Sequence, residues 1–465
     1  MLNYISFAFL LLLPVLVGIT YLLPVKARSL FFLLAGACLY ASMGIRFLPV
    51  LFLVVCSTYL GGRRCEHREE AVNKGNEKAK SSGQRRMALV LCIGFNLSFL
   101  FVFKYLRLFA PGMAVAAPFG ISFFVLTGLG YVIDCYRGKY QAEKSFLTYA
   151  AFSSFFPLIA SGPIERADHL IPQMKQPAPL SYRRLQSGML LMVWGYFLKL
   201  VLANRLSILV QSGFENPQSQ AGILLILSVL AFTFEIYCDF YGYSSIAKGC
   251  AALLGIEVMD NFKSPYLSGN IAEFWRRWHI SLSTWFRDYL YIPLGGSKHG
   301  DKVTIRNLFI VWFFTALWHG FALHFILWGL SLCLLIVWEK MVLDYIPFFS
   351  KIFGRFHVLV LVPLTWVFFS VEKSADLPIL FSRLFPFLAG KGANATVFAG
   401  DYQEILSSYA PYLLCSVLLL IPFIYRFLEQ RKRSFATKLL LLALFWLSVT
   451  SLLNNAANPF LYLRF

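Results

Sequence analysis

Two histidines set in apolar sequence are the residues of this 465-residue chain best placed to do chemistry. His319 stands in "TALWHGFALHF" (315–325), between the runs "RNLFIVWFF" and "ILWGLSLCLLIVW". Apolar surroundings disfavour the imidazolium and leave an uncharged base, suited to taking a proton from a hydroxyl. An ionisable group inside such a run is a functional candidate by default. A structural histidine, hydrogen-bonded to a neighbouring helix, explains the residue equally well, and residue type does not separate the two. On one continuous helix His324 would lie about 140° around from His319 at ~100° per residue, and so face elsewhere.

The second histidine, His279, lies in "EFWRRWHISLSTWFRDYLYIPLGGSKHG" (273–300). The spacing predicts one amphipathic helix over 271–290. Phe274, Trp275, Trp278, Leu282, Trp285, Phe286 and Tyr289 gather on one side, and Glu273, Arg276, Arg277, Arg287 and Asp288 lie largely elsewhere. An anchoring helix at the headgroup boundary would look like this. The concentration of donors points further: Arg276, Arg277, His279 and Arg287 could together hold an acidic phosphate or a carboxylate. "PLGGSKHG" reads as a turn and lacks the strand–loop–helix setting of a phosphate loop. Asp239, in "YCDFYGYSS", needs a partner at membrane depth, expected among the basic residues of 260–300. Lys104 and Lys199 are expected to snorkel to the interface, and Gly162-Pro163 to end a helix.

The elements that must position these residues are membrane-spanning. Apolar residues make up 58% of the chain and charged residues 14%, against about a quarter charged in soluble domains. Several runs exceed the ~18–20 residues that cross a ~30 Å hydrocarbon layer. Apolar segments near 4–23, 29–43, 47–61, 87–109, 115–135, 146–162, 187–211, 221–240, 243–256, 305–319, 321–343, 356–371, 408–427 and 436–454 predict an all-α polytopic protein. About eleven spans are expected, with 146–162 and 243–256 as candidate re-entrant pieces. The loop 61–86 carries eight Lys and Arg against four Glu and, with 425–438, is expected in the cytoplasm; the nearly uncharged 389–404 is expected outside. The net charge of +19 sits between spans, where topology and anionic lipid account for it without nucleic acid. Nine scattered cysteines without a CxxC pair give neither a disulfide framework nor a zinc site. No internal repeat or linker divides the chain, so 1–465 reads as one integral-membrane domain.

Residues 273–300, followed some twenty residues on by "LWHGFALHFILWG", resemble the membrane-bound O-acyltransferase (MBOAT) family in its alginate O-acetylation protein-like bacterial branch. "FKY" (103–105), "PFGISFFVLTGLGYVIDCYRG" (118–138), "FFPLIASGPIER" (155–166), "FEIYCDFYGYSSIAKG" (234–249) and "PFLYLRF" (459–465) agree in order. Two features depart from the pattern: Ser370 stands where an Arg is expected, and Phe321-Ala322 and His324 replace a small or polar pair. The resemblance implies helices around a central funnel open on each side, with an interfacial segment over 260–300 and the catalytic histidine within 305–343. It makes His319 catalytic and His279 its second polar residue. Arg276, Arg277, Trp278, Arg287, Asp239 and Trp318 would bind the donor. The donor implied is acetyl-CoA or another acyl thioester, with no resident cofactor. The acceptor implied is an exported polysaccharide such as alginate or cellulose, served at the cell inner membrane with extracytoplasmic acetyltransferase partners and membrane lipids. Transfer of D-alanine to teichoic acid is the neighbouring alternative. A transporter using His319 and Asp239 as proton relays is the alternative of another class, disfavoured by the absence of paired broken repeats.

Overall fold

Hydrocarbon offers no partner to a backbone N–H or C=O, so a chain this apolar must satisfy its hydrogen bonds within each segment. The computed structural model of the protein describes residues 4–67, 82–109, 116–215, 217, 222–342, 346, 353–371, 373–385 and 400–454, and no strand occurs among them. Residues 68–81 of the basic loop, most of 389–404 and the terminal "PFLYLRF" lie outside the described residues. Seven of the described helices are long and apolar enough to cross a bilayer, or eight when a bent pair counts as one span. Two shorter apolar helices, Phe7–Leu22 and Ile121–Tyr136, add to these.

Several segment boundaries differ from expectation for local reasons. Segment 243–256 is not re-entrant: it continues the helix Gly222–Leu253, whose 32 residues run without a break. Segment 146–162 does break, into Phe146–Ser153 and Phe156–Ile159, with Pro157 opening the second helix. Segment 408–427 is bent by 72° between Glu404–Leu419 and Pro422–Gln430. Pro422 lacks an N–H and pushes Ile421 into an extended conformation, so the helix cannot continue through it.

The chain divides into two compact units, Met1–Met192 with Ser244–Asp260, and Val193–Tyr243 with Asn261–Phe465. In the first, Gly128 lies so close to Thr58 that a Cβ would stand 2.7 Å from the threonine methyl. Small residues of this kind let membrane helices approach. Thr58 also accepts a 2.7 Å hydrogen bond from the Tyr149 hydroxyl. A polar corner of the same unit is centred on buried Glu165, which accepts from the Met259 N–H and meets His169 Nδ1 at 2.8 Å. In the second unit, Leu225, Val229, Val367, Leu377 and Leu380 form part of a buried apolar cluster. Both sequence-selected histidines belong to this second unit.

Candidate active site

His319 is the last residue of the helix Asp301–His319. The Gly320 N–H closes that helix on the Ala316 carbonyl at 3.0 Å, and the next helix, Leu323–Met341, starts three residues later. His319 and His324 therefore stand on different helices. The 140° separation expected for one continuous helix does not apply, because the chain leaves helical geometry at Gly320. The two helices pack closely at Gly329, where a Cβ would fall 2.8 Å from the Ala316 methyl. His324 is buried and its Nδ1 lies 3.3 Å from the Ser374 hydroxyl.

Aromatic rings enclose the His319 imidazole, which is 4% exposed. Ring centroids lie 4.7 Å away for Trp318, 5.0 Å for Trp328, 5.0 Å for Phe369 and 6.2 Å for Phe325. A cavity of about 10 Å³ beside Glu165 and a groove of about 640 Å³ along Leu334, Trp338 and Phe368 are lined by neither His319 nor His279.

The single helix expected over 271–290 is broken. Helix Ile271–Arg277 ends, Trp278 is extended, His279 takes a left-handed conformation (φ 44°, ψ 53°), and helix Ile280–Phe286 follows. Residues Arg287–Tyr291 then form a π turn. The reason lies in the segment just before it. Asn261 accepts the Ile280 N–H through its carbonyl at 3.0 Å and the Ser281 N–H through its side chain at 3.2 Å, while the Lys263 N–H donates to the Arg277 carbonyl at 3.0 Å. These bonds replace the helical ones the break gives up. Ser264 and His279 are the non-glycine residues with positive φ among those described, and they lie on the two paired stretches. Strain gathered this way persists only where the surroundings over-determine it.

The aromatic face faces protein rather than a headgroup boundary. Trp278 is 1% exposed, stacked on Phe274 at 5.5 Å and against Trp366 at 5.3 Å. His279 is 2% exposed, with Phe240 at 4.6 Å and Trp318 at 6.0 Å. Trp318 thus lies between the two imidazoles, touching both. The arginines are arranged differently. Arg277 pairs with Glu273, Arg287 with Asp288 at 2.8 Å, and Arg276 is exposed. They lie toward solvent while His279 is buried, so the expected cluster around that imidazole does not form.

Asp239 pairs with Lys199, which lies outside the 260–300 block where its partner was expected. Lys199 does not snorkel: it is 1% exposed, inside the π-helical turn Phe197–Ala203, with its Nζ 5.9 Å from the Tyr243 ring centre. A buried carboxylate draws the ammonium inward, and the wider π turn hosts it. Phe240, next to Asp239, is the residue that packs on His279.

A second buried acid escaped the sequence reading. The Glu339 carboxylate accepts the Ile271 N–H at 2.9 Å and meets His357 Nδ1 at 2.8 Å, so it clasps the start of the helix that leads to His279. His357 in "FHVLVLV" carried the same signal as His319, a histidine in an apolar run. Ser370, where an Arg was expected, donates to the Val367 carbonyl at 3.1 Å and follows Phe369 of the enclosing rings. Among the described residues no three His, Cys, Asp or Glu side chains are grouped to hold a metal ion.

The class of this helical membrane protein follows from its relatives. Residues 138–380 match the membrane-bound O-acyltransferase family, and the chain belongs to that family. It is a multi-pass membrane O-acyltransferase. A "Probable alginate O-acetylase AlgI" of Pseudomonas putida is 33% identical over 396 residues, covering 81% of this chain and 79% of the relative. The peptidoglycan O-acetyltransferase of Helicobacter pylori is 30% identical over 65% of this chain and 62% of its own. The teichoic acid D-alanyltransferase of Bacillus subtilis is 27% identical over 45% of this chain and 56% of its own.

Proposed function

We propose that the chain works as one catalytic domain in the cytoplasmic membrane, passing an acetyl group from a cytoplasmic thioester, acetyl-CoA or a related donor, toward a hydroxyl of an exported polysaccharide. His319 takes the proton of the acceptor hydroxyl, and His279 orients the donor. Arg276 and Arg287, exposed at the outer side of the broken helix pair, receive the donor's anionic groups. Extracytoplasmic acetyltransferases complete the modification. The carrying observation is the position of His319, buried at a helix end and one indole away from a second imidazole held in a strained backbone. Acetyl transfer is favoured over D-alanyl transfer because the O-acetylating relatives match more of the chain. Since rings enclose His319, turnover on this reading includes displacement of Phe325 or Phe369.

Membranes carrying the protein, incubated with radiolabelled acetyl-CoA, should pass label to polysaccharide or a periplasmic partner. His319→Ala should abolish this while leaving the protein folded. Equal labelling by the two proteins would overturn the role of His319. Transfer of D-alanine from a carrier thioester, without acetyl transfer, would replace the substrate assignment and keep the site.

A further inference from the structure

Trp328 is 1% exposed, and its indole N–H has no hydrogen-bond partner. Trp275, whose ring lies 5.7 Å from that of Trp328, has a buried N–H in the same condition. Buried donors are almost always paired, so an orphan calls for an explanation. Of these two indoles, Trp328 is the one whose ring stands against His319, at 5.0 Å and nearly perpendicular. Trp366 and Phe369, at 5.9 and 5.3 Å, hold it from other sides. Side chains that each reach one reacting carbonyl at about 3 Å must stand within about 6 Å of one another. Trp328 and His319 meet that condition.

We infer that the Trp328 indole N–H is the donor that receives the carbonyl oxygen of the acyl group as it becomes an oxyanion. The inference rests on the reading of His319 as the base. His319 takes the acceptor's proton as the acceptor oxygen bonds to the thioester carbon, and the C=O electron pair moves onto oxygen. The Trp328 N–H then hydrogen-bonds that oxyanion. As the carbonyl re-forms, the C–S bond breaks, and the departing thiolate takes the proton from the imidazolium. A donor fixed in place by packing needs no reorganisation at that moment, which is why it stabilises the transition state more than water would. The acyl group in its ground state offers a weaker acceptor, so the donor acts on kcat more than on KM.

The test uses full-length protein in detergent or vesicles, with acetyl-CoA as donor. Trp328→Phe should lower kcat by about 10²–10³-fold, the range for losing one such donor, with KM within about twofold and a somewhat lower melting temperature from the gap left by the smaller ring. A second variant places 3-benzothienylalanine at 328, keeping the bicyclic shape and replacing N–H with sulfur. It should be as slow as Trp328→Phe. Recovery of parental kcat by this isostere would assign the effect to shape and overturn the inference, as would full activity of Trp328→Phe. Failures are separable: an active His319→Ala sinks the underlying reading, whereas an inactive His319→Ala beside a fully active isostere sinks the Trp328 role alone.

Discussion

His319 and His279 are both buried, both flanked by a helix end, and reached by opposite means. His319 ends its helix where the chain turns extended at Gly320, and its own backbone stays regular. His279 is held at φ 44°, between two seven-residue helices, by bonds to a segment some twenty residues earlier. Such a conformation costs on the order of 1–3 kcal/mol in a non-glycine residue. One imidazole is thus delivered by the chain's own punctuation, and the other is pinned by tertiary contacts. On the proposed reading, a site that must hold one group while its neighbour handles a proton is served by this difference, because a pinned side chain cannot drift if the enclosing rings move.

The largest effect should come from the chemistry. On the proposed reading His319→Ala lowers acyl transfer by about 10²–10⁴-fold, the range for a general base, with its melting temperature nearly unchanged. Labelled-acetate transfer and thermal unfolding of the same preparation check it. A comparable loss of stability would turn His319 into a packing residue and erase the contrast with His279. Next comes the buried pair beside His279. Lys199→Met removes the ammonium that faces the buried Asp239 carboxyl and should cost about 3–5 kcal/mol of stability, whereas Lys199→Met with Asp239→Leu should recover most of it. Thermal or denaturant unfolding of the two variants decides; equal stability of the single and double variants would show that the pair pins nothing.

How much of this was legible in the sequence follows the same division. The His319 helix could be read because an apolar run is a local signal, whereas its stop at Gly320 was missed where His324 was placed on one continuous helix with His319. The break at His279 could not be read, since Phe274, Trp278, Leu282 and Trp285 keep helical spacing straight through it and all end up buried. Periodicity sees two short helices burying one face as a single long helix. Asn261, which makes the break possible, is a tertiary partner that no spacing rule names. Lys199 and Asp239 lie 40 residues apart, so the acid could be flagged as needing a partner without its partner being identified. The arginines misled because side-chain composition says nothing of which side of a broken helix faces water.

A smaller effect tests the pinning itself. Glycine adopts positive φ freely, so His279→Gly removes the backbone strain, though it also removes a ring packed on Phe240 and Trp318. His279→Ala loses the same ring and keeps the strain. His279→Gly should therefore melt higher than His279→Ala by an amount equivalent to about 1 kcal/mol. The reverse order, the usual one at a regular helical position, would mean that the left-handed conformation is not held in the working protein.

The smallest effect lies with a histidine of the opposite kind. His169, in the first unit and outside the spans, meets Glu165 Nδ1-to-carboxylate at 2.8 Å, and its side chain is 46% exposed. That hydrogen bond, opposed by partial burial and aided by the charges of Glu165, Glu257 and Asp168, holds its pKa above the ordinary 6.5. The folded protein therefore binds this proton more tightly than the unfolded chain does. The resulting stability is fully present below about pH 6.5 and is lost as pH rises through the folded-state value. Solvent screening at a half-exposed site keeps it to a few tenths of a kcal/mol. Melting curves between pH 6 and 9 should decline slightly more for the parent than for His169→Gln. An unchanged slope would place the Glu165 contact among ion pairs that contribute nothing measurable. A steeper slope in the variant would mean that His169 opposes a titration elsewhere in the polar corner, where Glu143 and Lys175 form a second pair at 2.6 Å.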